Sequence, residues 1–192
     1  ARRSILQQLP ALHARAADWF ESNTDHQQAL VHRFAAGDIQ GAIKLMYFVG
    51  PDLLGRGQIR KLRGFLEQLG DAAATDVACS LGWGWCEYLS SQYESAARWL
   101  EIALDVAPPT FDSMIAAPLR INLALGSGDV ATALASARLA TAGGDLWRRP
   151  SELATAVGAA YTWAGMHDEA REALKIALER CKAEQRLTAH VL

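Results

Sequence analysis

Apolar residues recur along the chain at intervals of three and four, and nowhere alternate with period two for long enough to make a strand. The pattern predicts an all-α protein. From Pro10, the positions Leu12, Ala16, Trp19 and Phe20 make an i, i+4, i+7, i+8 stripe that ends at Ser22-Asn23-Thr24. Asp25 is placed to cap a second helix, His26 to Ala36, which presents Ala29, Leu30, Arg33 and Phe34. Gly37 stops that helix at C′, and Asp38 caps a third, Ile39 to Val49. Gly50-Pro51 predicts a break and a turn over 52–57. A helix from Gln58 to Leu69 follows, with Ile59, Leu62, Phe65, Leu66 and Leu69 on one stripe.

The remainder reads as helix pairs. The first is Thr75 to Ser90 with Tyr93 to Val106, around Ser91-Gln92. The second is Thr110 to Leu125 with Val130 to Ala142, around Gly126-Ser127-Gly128-Asp129. Pro118 falls inside the first helix of that pair and predicts a kink or break, because proline lacks the N–H and its ring clashes with the preceding turn. Gly143 to Pro150, with Trp147, Arg148 and Arg149, is the longest irregular connection. The third pair is Glu152 to Ala164 with Asp168 to Cys181, and the tail 183–192 has room to begin one more helix.

Ser80 to Pro108 is the best-defined unit. Gly84 sits on its first helix, Ala96 and Ala103 share one face of the second, and Pro108 closes it. That spacing resembles the tetratricopeptide repeat, a helix-turn-helix of roughly 34 residues. Small residues equivalent to Ala96 are Ala29, Gly64, Ala133 and Ala170, at steps of 35, 32, 37 and 37. The last unit, with Gly158, Tyr161, Gly165, Ala170, Leu174 and Ala177, fits as well as the first. The unit around Ala133 has Ile121 where the glycine belongs, and the early units fit loosely. The resemblance implies a right-handed superhelix of stacked antiparallel hairpins, about ten to twelve helices, each burying its apolar face only against its neighbours.

The early segment carries a second resemblance. Leu12, His13, Arg15, Ala16, Ala17, Trp19 and Phe20 are followed by Gln28, Ala29, Leu30 and His32, then by Ala35, Ala36, Gly37, Asp38 and Ala42. This order resembles the opening of the sensor region of MalT-like regulators, which are large, ATP-dependent LuxR-type proteins. Phe65, Leu66, Glu67 and Leu69 resemble the close of the same family's short helix pair, with Gly70 in place of its proline. The resemblance implies an upstream nucleotide-binding domain and a DNA-binding output. A similar C-terminal region of some bacterial serine/threonine kinases would imply phosphorylation instead. No G-x-x-x-x-G-K-[ST] occurs in this sequence, and the stretch 50–57 lacks the lysine. We accordingly expect residues 1–9 to end a preceding domain or linker, 10–71 to form irregular hairpins, and 72–192 to form the repeats. We also expect the whole to be a piece of a longer protein.

Charge and chemistry narrow the function further. With 19 basic and 21 acidic residues the chain has no electrostatic footprint for nucleic acid or an anionic membrane. The odd count of cysteines (Cys79, Cys86, Cys181), with no C-x-x-C, points to buried thiols in a reducing, cytoplasmic compartment. His13 and His32 have the placement to approach each other, but no H-E-x-x-H or convergent acid pattern accompanies them. No cofactor, metal or catalytic residue is expected. The basic run Arg56, Arg60, Lys61, Arg63 reads as a solvated helix face.

Aromatic residues carry the binding expectation. In a tetratricopeptide-like stack the first helices of successive hairpins line a concave groove. The groove positions are then Leu81, Trp85 and Tyr88, then Asn122 and Leu125, then Glu152, Thr155, Thr162 and Trp163. Trp85, Tyr88, Asn122, Thr155, Thr162 and Trp163 make a wall that is part apolar and part hydrogen-bonding. The expected function is a non-catalytic sensing or interaction module that binds a small-molecule inducer or a regulatory protein or peptide and relays this to its parent. A stand-alone adaptor scaffold is the alternative.

Overall fold

The computed structural model describes residues 2–108, 113–142, 146 and 151–183. Within them lie ten α-helices and no strand: α1 (Arg2–Ser22), α2 (His26–Ala36), α3 (Ile39–Gly55), α4 (Ile59–Leu69), α5 (Val77–Leu89), α6 (Tyr93–Asp105), α7 (Ala117–Gly126), α8 (Val130–Ala142), α9 (Ser151–Trp163) and α10 (His167–Ala183). Short 3-10 segments, Gly70–Thr75 and Ser113–Ile115, lead into α5 and α7.

Local chemistry sets the helix ends. The carboxylates of Asp25, Asp38 and Asp76 accept from the backbone N–H of Gln28, Gly41 and Cys79, satisfying first-turn donors that have no partner within the helix. Asp129 accepts from Thr132 N at 3.0 Å and starts α8 in the same way. Side-chain and backbone hydrogen bonds from Thr132 hold the Asp129 carboxyl below the usual carboxylate range. Gly37 takes φ of 73°, a left-handed conformation open to glycine, and closes α2 on the carbonyls of Arg33 and Phe34.

Prolines depart from the sequence reading in two places and follow it in a third. Pro10 lies inside α1 instead of opening it. Gln8 to Leu12 are all exposed, so water is at hand to replace the hydrogen bond that Pro10 cannot donate. α3 continues through Gly50-Pro51 to Gly55, where a break and turn were expected. A proline in a helix interior costs about 3 kcal/mol. Leu53 is fully buried in the turn that follows and Leu54 packs on the same core, which offsets most of that cost. Pro118, by contrast, does break the chain: α7 starts at Ala117 with Pro118 in its first turn, where a missing N–H costs nothing. Residues 110–112, expected to begin that helix, lie outside the described residues.

The helices form five antiparallel hairpins in chain order, the stacked architecture expected of a tetratricopeptide-like superhelix. α2 packs on α3, α3 and α4 pack on α5, α5 and α6 on α7, and α7 and α8 on α9. Ala29, Gly64, Ala96, Ala133 and Ala170 all fall on second helices. α1 rests mainly on α2, and its buried stripe is displaced from the expected one. Leu12 and Trp19 are 50% and 61% exposed, while Ala17 is fully buried and Phe20 packs inward. With one packing partner, α1 buries only the narrow face that α2 covers.

Close approach of helix backbones is confined to two hairpins. A Cβ on Gly84 would stand 2.6 Å from Leu119 Cδ2 and 3.6 Å from Ala96 O. A Cβ on Gly158 would stand 2.7 Å from Leu174 Cδ2 and 3.5 Å from Ala170 O. The glycine of one helix thus lies against the alanine carbonyl of the other, twice over. In the α7–α8 hairpin a fully buried Ile121 stands in the glycine's place, clustered with Ala133 and Ala137. At Gly64 an added Cβ meets nothing within 4 Å, so this glycine answers to no packing demand.

Gly84→Val and Gly158→Val should each destabilise the chain by about 1–3 kcal/mol through overpacking. Gly64→Ala, in open space within α4, should stabilise it by about 0.5–1 kcal/mol. Urea unfolding followed by circular dichroism checks both. A loss at Gly64→Ala as large as at Gly158→Val would contradict the packing described.

Candidate functional site

First helix α5 packs on α7 and α7 on α9, and the six expected groove residues lie on these three helices. The structure brings Trp85 and Tyr88 together, with ring centroids 5.8 Å apart in an edge-on arrangement. Both are half-buried and pack on a cluster containing Leu81, Leu100, Ala103 and Leu119. Burial, and then the neighbouring Tyr93, push the Tyr88 hydroxyl above its ordinary range. These two aromatics therefore join α5, α6 and α7 as much as they face the groove.

The remaining four sit on α7 and α9. Asn122 Nδ2 donates to Pro118 O at 2.9 Å, Thr155 Oγ1 to Ser151 O at 2.9 Å, and Thr162 Oγ1 to Gly158 O at 2.8 Å. Each polar proton is thus taken up one turn back on its own helix, while the oxygens keep lone pairs to accept from a ligand. Trp163 is 65% exposed at the end of α9 and is the large apolar surface of this wall. Of the other groove positions, Leu81 is buried and Leu125 half-buried.

Other candidates have structural employment. His13 and His32 do meet, Nδ1 to Nδ1 at 2.8 Å, so one imidazole donates its N–H to the lone pair of the other. The rings lie 5.1 Å apart, and Phe20 stacks on His32 at 5.3 Å, which places the pair in the α1–α2 seam. Arg33 is the charge centre of that seam, bonded to Asp18, Glu21 and Asp38. Among the described residues no three His, Cys, Asp or Glu side chains converge to hold a metal ion. All three cysteines are buried. Burial, and then the charge of Asp76, push the Cys79 thiol up; burial pushes Cys86 up to about 11 against the opposing charge of Arg63.

The basic run is a largely solvated face, as expected, with Arg63 as its half-buried member. Arg63 pairs with Glu87 at 2.9 Å and lies 5.3 Å over the Trp83 ring, which in turn stacks on Trp99. Arg56 pairs with Asp52, and Lys61 Nζ donates to Gln27 Oε1 at 2.6 Å. Arg56, Arg60 and Lys61 are exposed. Sequence reasoning missed the cleft beside this run, a 510 Å³ hollow between the start of α2 and the end of α3. Phe48, 52% exposed, floors it and stacks on His26 at 4.6 Å. The two exposed positions Tyr47 and Phe48 interrupt the apolar stripe of α3, and that interruption was the available signal. Gln27 Nε2 and Arg56 Nε both donate to Asp52, so much of the cleft's polar lining is engaged internally.

No family model matches this sequence, and no curated protein does so either. Among solved structures, the chain is similar to the crystal structure of the MamA protein. The TM-score is 0.57 at 14% identity, covering 93% of this chain and 95% of that one. The likeness shows the fold: a tetratricopeptide-like stack of helix hairpins over nearly the full length. Among the described residues, no helix is long and apolar enough to cross a membrane.

Trp85→Ala should cost about 3 kcal/mol of stability because it empties a packed joint. Trp163→Ala should stay within about 0.5 kcal/mol of the parent. Thermal melts separate the two, and equal losses would contradict their different burial. A second expectation concerns the thiols. Cys86 has a folded-state value raised above that of the unfolded chain. Its neutral thiol therefore contributes stability that is fully present below the ordinary thiol range and lost as pH rises toward about 11. Iodoacetamide at pH 8 should leave Cys79 and Cys86 unmodified in the folded protein and alkylate both in denaturant, read by mass spectrometry.

Proposed function

We propose that this chain is a non-catalytic interaction module whose α5–α7–α9 wall takes up a regulatory protein, a peptide or a small inducer. The observation that carries the reading is Trp163: an indole 65% exposed, one residue from the exposed hydroxyl of Thr162, on the wall that also carries Trp85 and Tyr88. An exposed indole binds by burying a large, stiff apolar face while its N–H finds an acceptor. Thr155 and Thr162 supply acceptor oxygens beside it, and Asn122 supplies a further carbonyl oxygen.

The finer reading is a cytoplasmic sensor region resembling that of MalT-like, LuxR-type regulators, coupled to an ATPase and DNA-binding output or to a kinase. Its support lies in the residues of the early motif. Gly37 and Asp38 close α2 and open α3, Ala17 and Ala42 are fully buried, and His13 meets His32 across the α1–α2 seam. Such a module signals only if its ligand binds one state of the parent better than another. A stand-alone adaptor scaffold uses the same wall without that coupling. A reading frame that continues upstream into a P-loop would favour the sensor, and a start codon directly before this segment would favour the adaptor.

A photo-crosslinking residue placed at 163 should capture a discrete partner in the native host. The same residue at 139, where the exposed Leu139 lies on second helix α8, should not. Capture at 139 and none at 163 would remove the wall from consideration. For any partner so found, Trp163→Ala should weaken binding tenfold or more in calorimetric titration.

A further inference from the structure

The last described hairpin bears an open face that every earlier repeat keeps covered. In the register set by Gly84/Gly158 and Ala96/Ala170, Tyr88, Tyr93, Leu100 and Leu104 correspond to Thr162, His167, Leu174 and Leu178. The first set lies under α7. Leu119 and Leu123 pack with Tyr88, Leu100 and Leu104, and Gly126 sits on the Tyr93 ring, where an added Cβ would stand 3.2 Å away. One turn and then another of α7, at i, i+4 and i+7, fill that face. The face of α8 is filled likewise by α9, where Leu153, Val157 and Ala160 cluster with Ala133 and Ala137. On α9–α10 the corresponding residues line a cleft of 380 Å³, with Ala170, Leu174 and Leu178 as its floor.

Charge distinguishes this cleft from its covered counterparts. His167, Arg171 and Lys175 follow one another at four-residue intervals along its rim, and among the described residues no acidic side chain lines it. Where Arg171 and Lys175 now stand, the α5–α6 repeat has Ala97 and Glu101. Arg171 and Lys175 do hold Asp168 and Glu172 at 2.9 Å and 2.7 Å, but as solvent-exposed i, i+3 pairs on one helix. Pairs of that kind contribute little and give way to a better acceptor.

We infer that the α9–α10 face is a second docking site, meeting the first-helix wall at Thr162, and that its occupant is an acidic amphipathic helix of a partner protein. The helix presents apolar side chains at i, i+4 and i+7 to Ala170, Leu174 and Leu178, as α7 does to the α5–α6 hairpin. Its flanking carboxylates meet Arg171 and Lys175. Helix-in-groove recognition of this type needs an apolar floor and flanking charge opposite to that of the helix; Ala170, Leu174 and Leu178 supply the floor, and Arg171 and Lys175 the charge.

The test uses the whole chain and two synthetic helical peptides, each with Leu at i, i+4 and i+7, one flanked by Glu and the other by Lys. Fluorescence anisotropy should show the Glu peptide binding at least tenfold tighter than the Lys peptide. The double variant Arg171→Glu, Lys175→Glu, exposed and therefore neutral to folding, should reverse that preference. Leu178→Glu should abolish binding of both peptides, while Trp163→Ala should leave the Glu peptide bound. Equal affinity for the two peptides, or a preference unmoved by the charge reversal, would overturn the proposal. So would a tenfold gain on removing residues 184–192, because the chain's own tail would then be the occupant. A dimer in sedimentation that Leu178→Glu dissolves would assign the face to a second copy and overturn it equally.

Discussion

Each hairpin of this protein is half of a packing arrangement that its neighbour completes. The contact that sets the geometry is the seating of a glycine on a first helix against an alanine carbonyl on the second, Gly84 on Ala96 and Gly158 on Ala170. Without a Cβ at those points the two backbones close up, and Leu119 of the following α7 and Leu174 of α10 pack into the space a Cβ would take. Interiors packed at this density tolerate little added volume. A side chain in the glycine's place would push the pair apart and shift every helix stacked on it.

Function is drawn from what that stacking leaves over. The wall of α5, α7 and α9 spends Trp85 and Tyr88 mostly on joining hairpins and leaves Trp163 free. The cysteines of α5 are locked inside as neutral thiols. Within the basic run, the contacts of Lys61 with Gln27 and of Arg63 with Glu87 tie the first three hairpins together, while Arg56 pairs locally with Asp52 at the end of α3. Among the described residues, the end of α9 and the outer face of α10 are left uncovered, as are Tyr47 and Phe48 on α3.

Much of this was legible in the sequence because capping and small-residue spacing are local signals. Asp25, Asp38, Gly37 and the five anchor positions could be placed from residue type alone. Pro51 could not, since whether a proline ends a helix depends on what the next turn buries, and Leu53 finds its core only after α4 and α5 have folded onto it. The same holds for Leu12 and Trp19, whose exposure follows from α1 resting mainly on one neighbour. Gly64 fitted the repeat spacing yet touches nothing, a reminder that a small residue in register need not mark a close contact. Trp85 and Trp163 both read as groove residues and differ in the fold, because in the repeat register Trp163 matches Leu89, itself exposed at the end of α5, and not the half-buried Trp85.

The central claim is that a hairpin in this stack owes its rigidity to the helix that follows it. Amide hydrogen exchange on the free chain, read by mass spectrometry, tests this directly, because α6 and α10 share the same glycine–alanine seat and, among the described residues, only α6 lies under a following helix. The account predicts that α10 amides exchange well before those of α6. Equal protection of the two helices would contradict it.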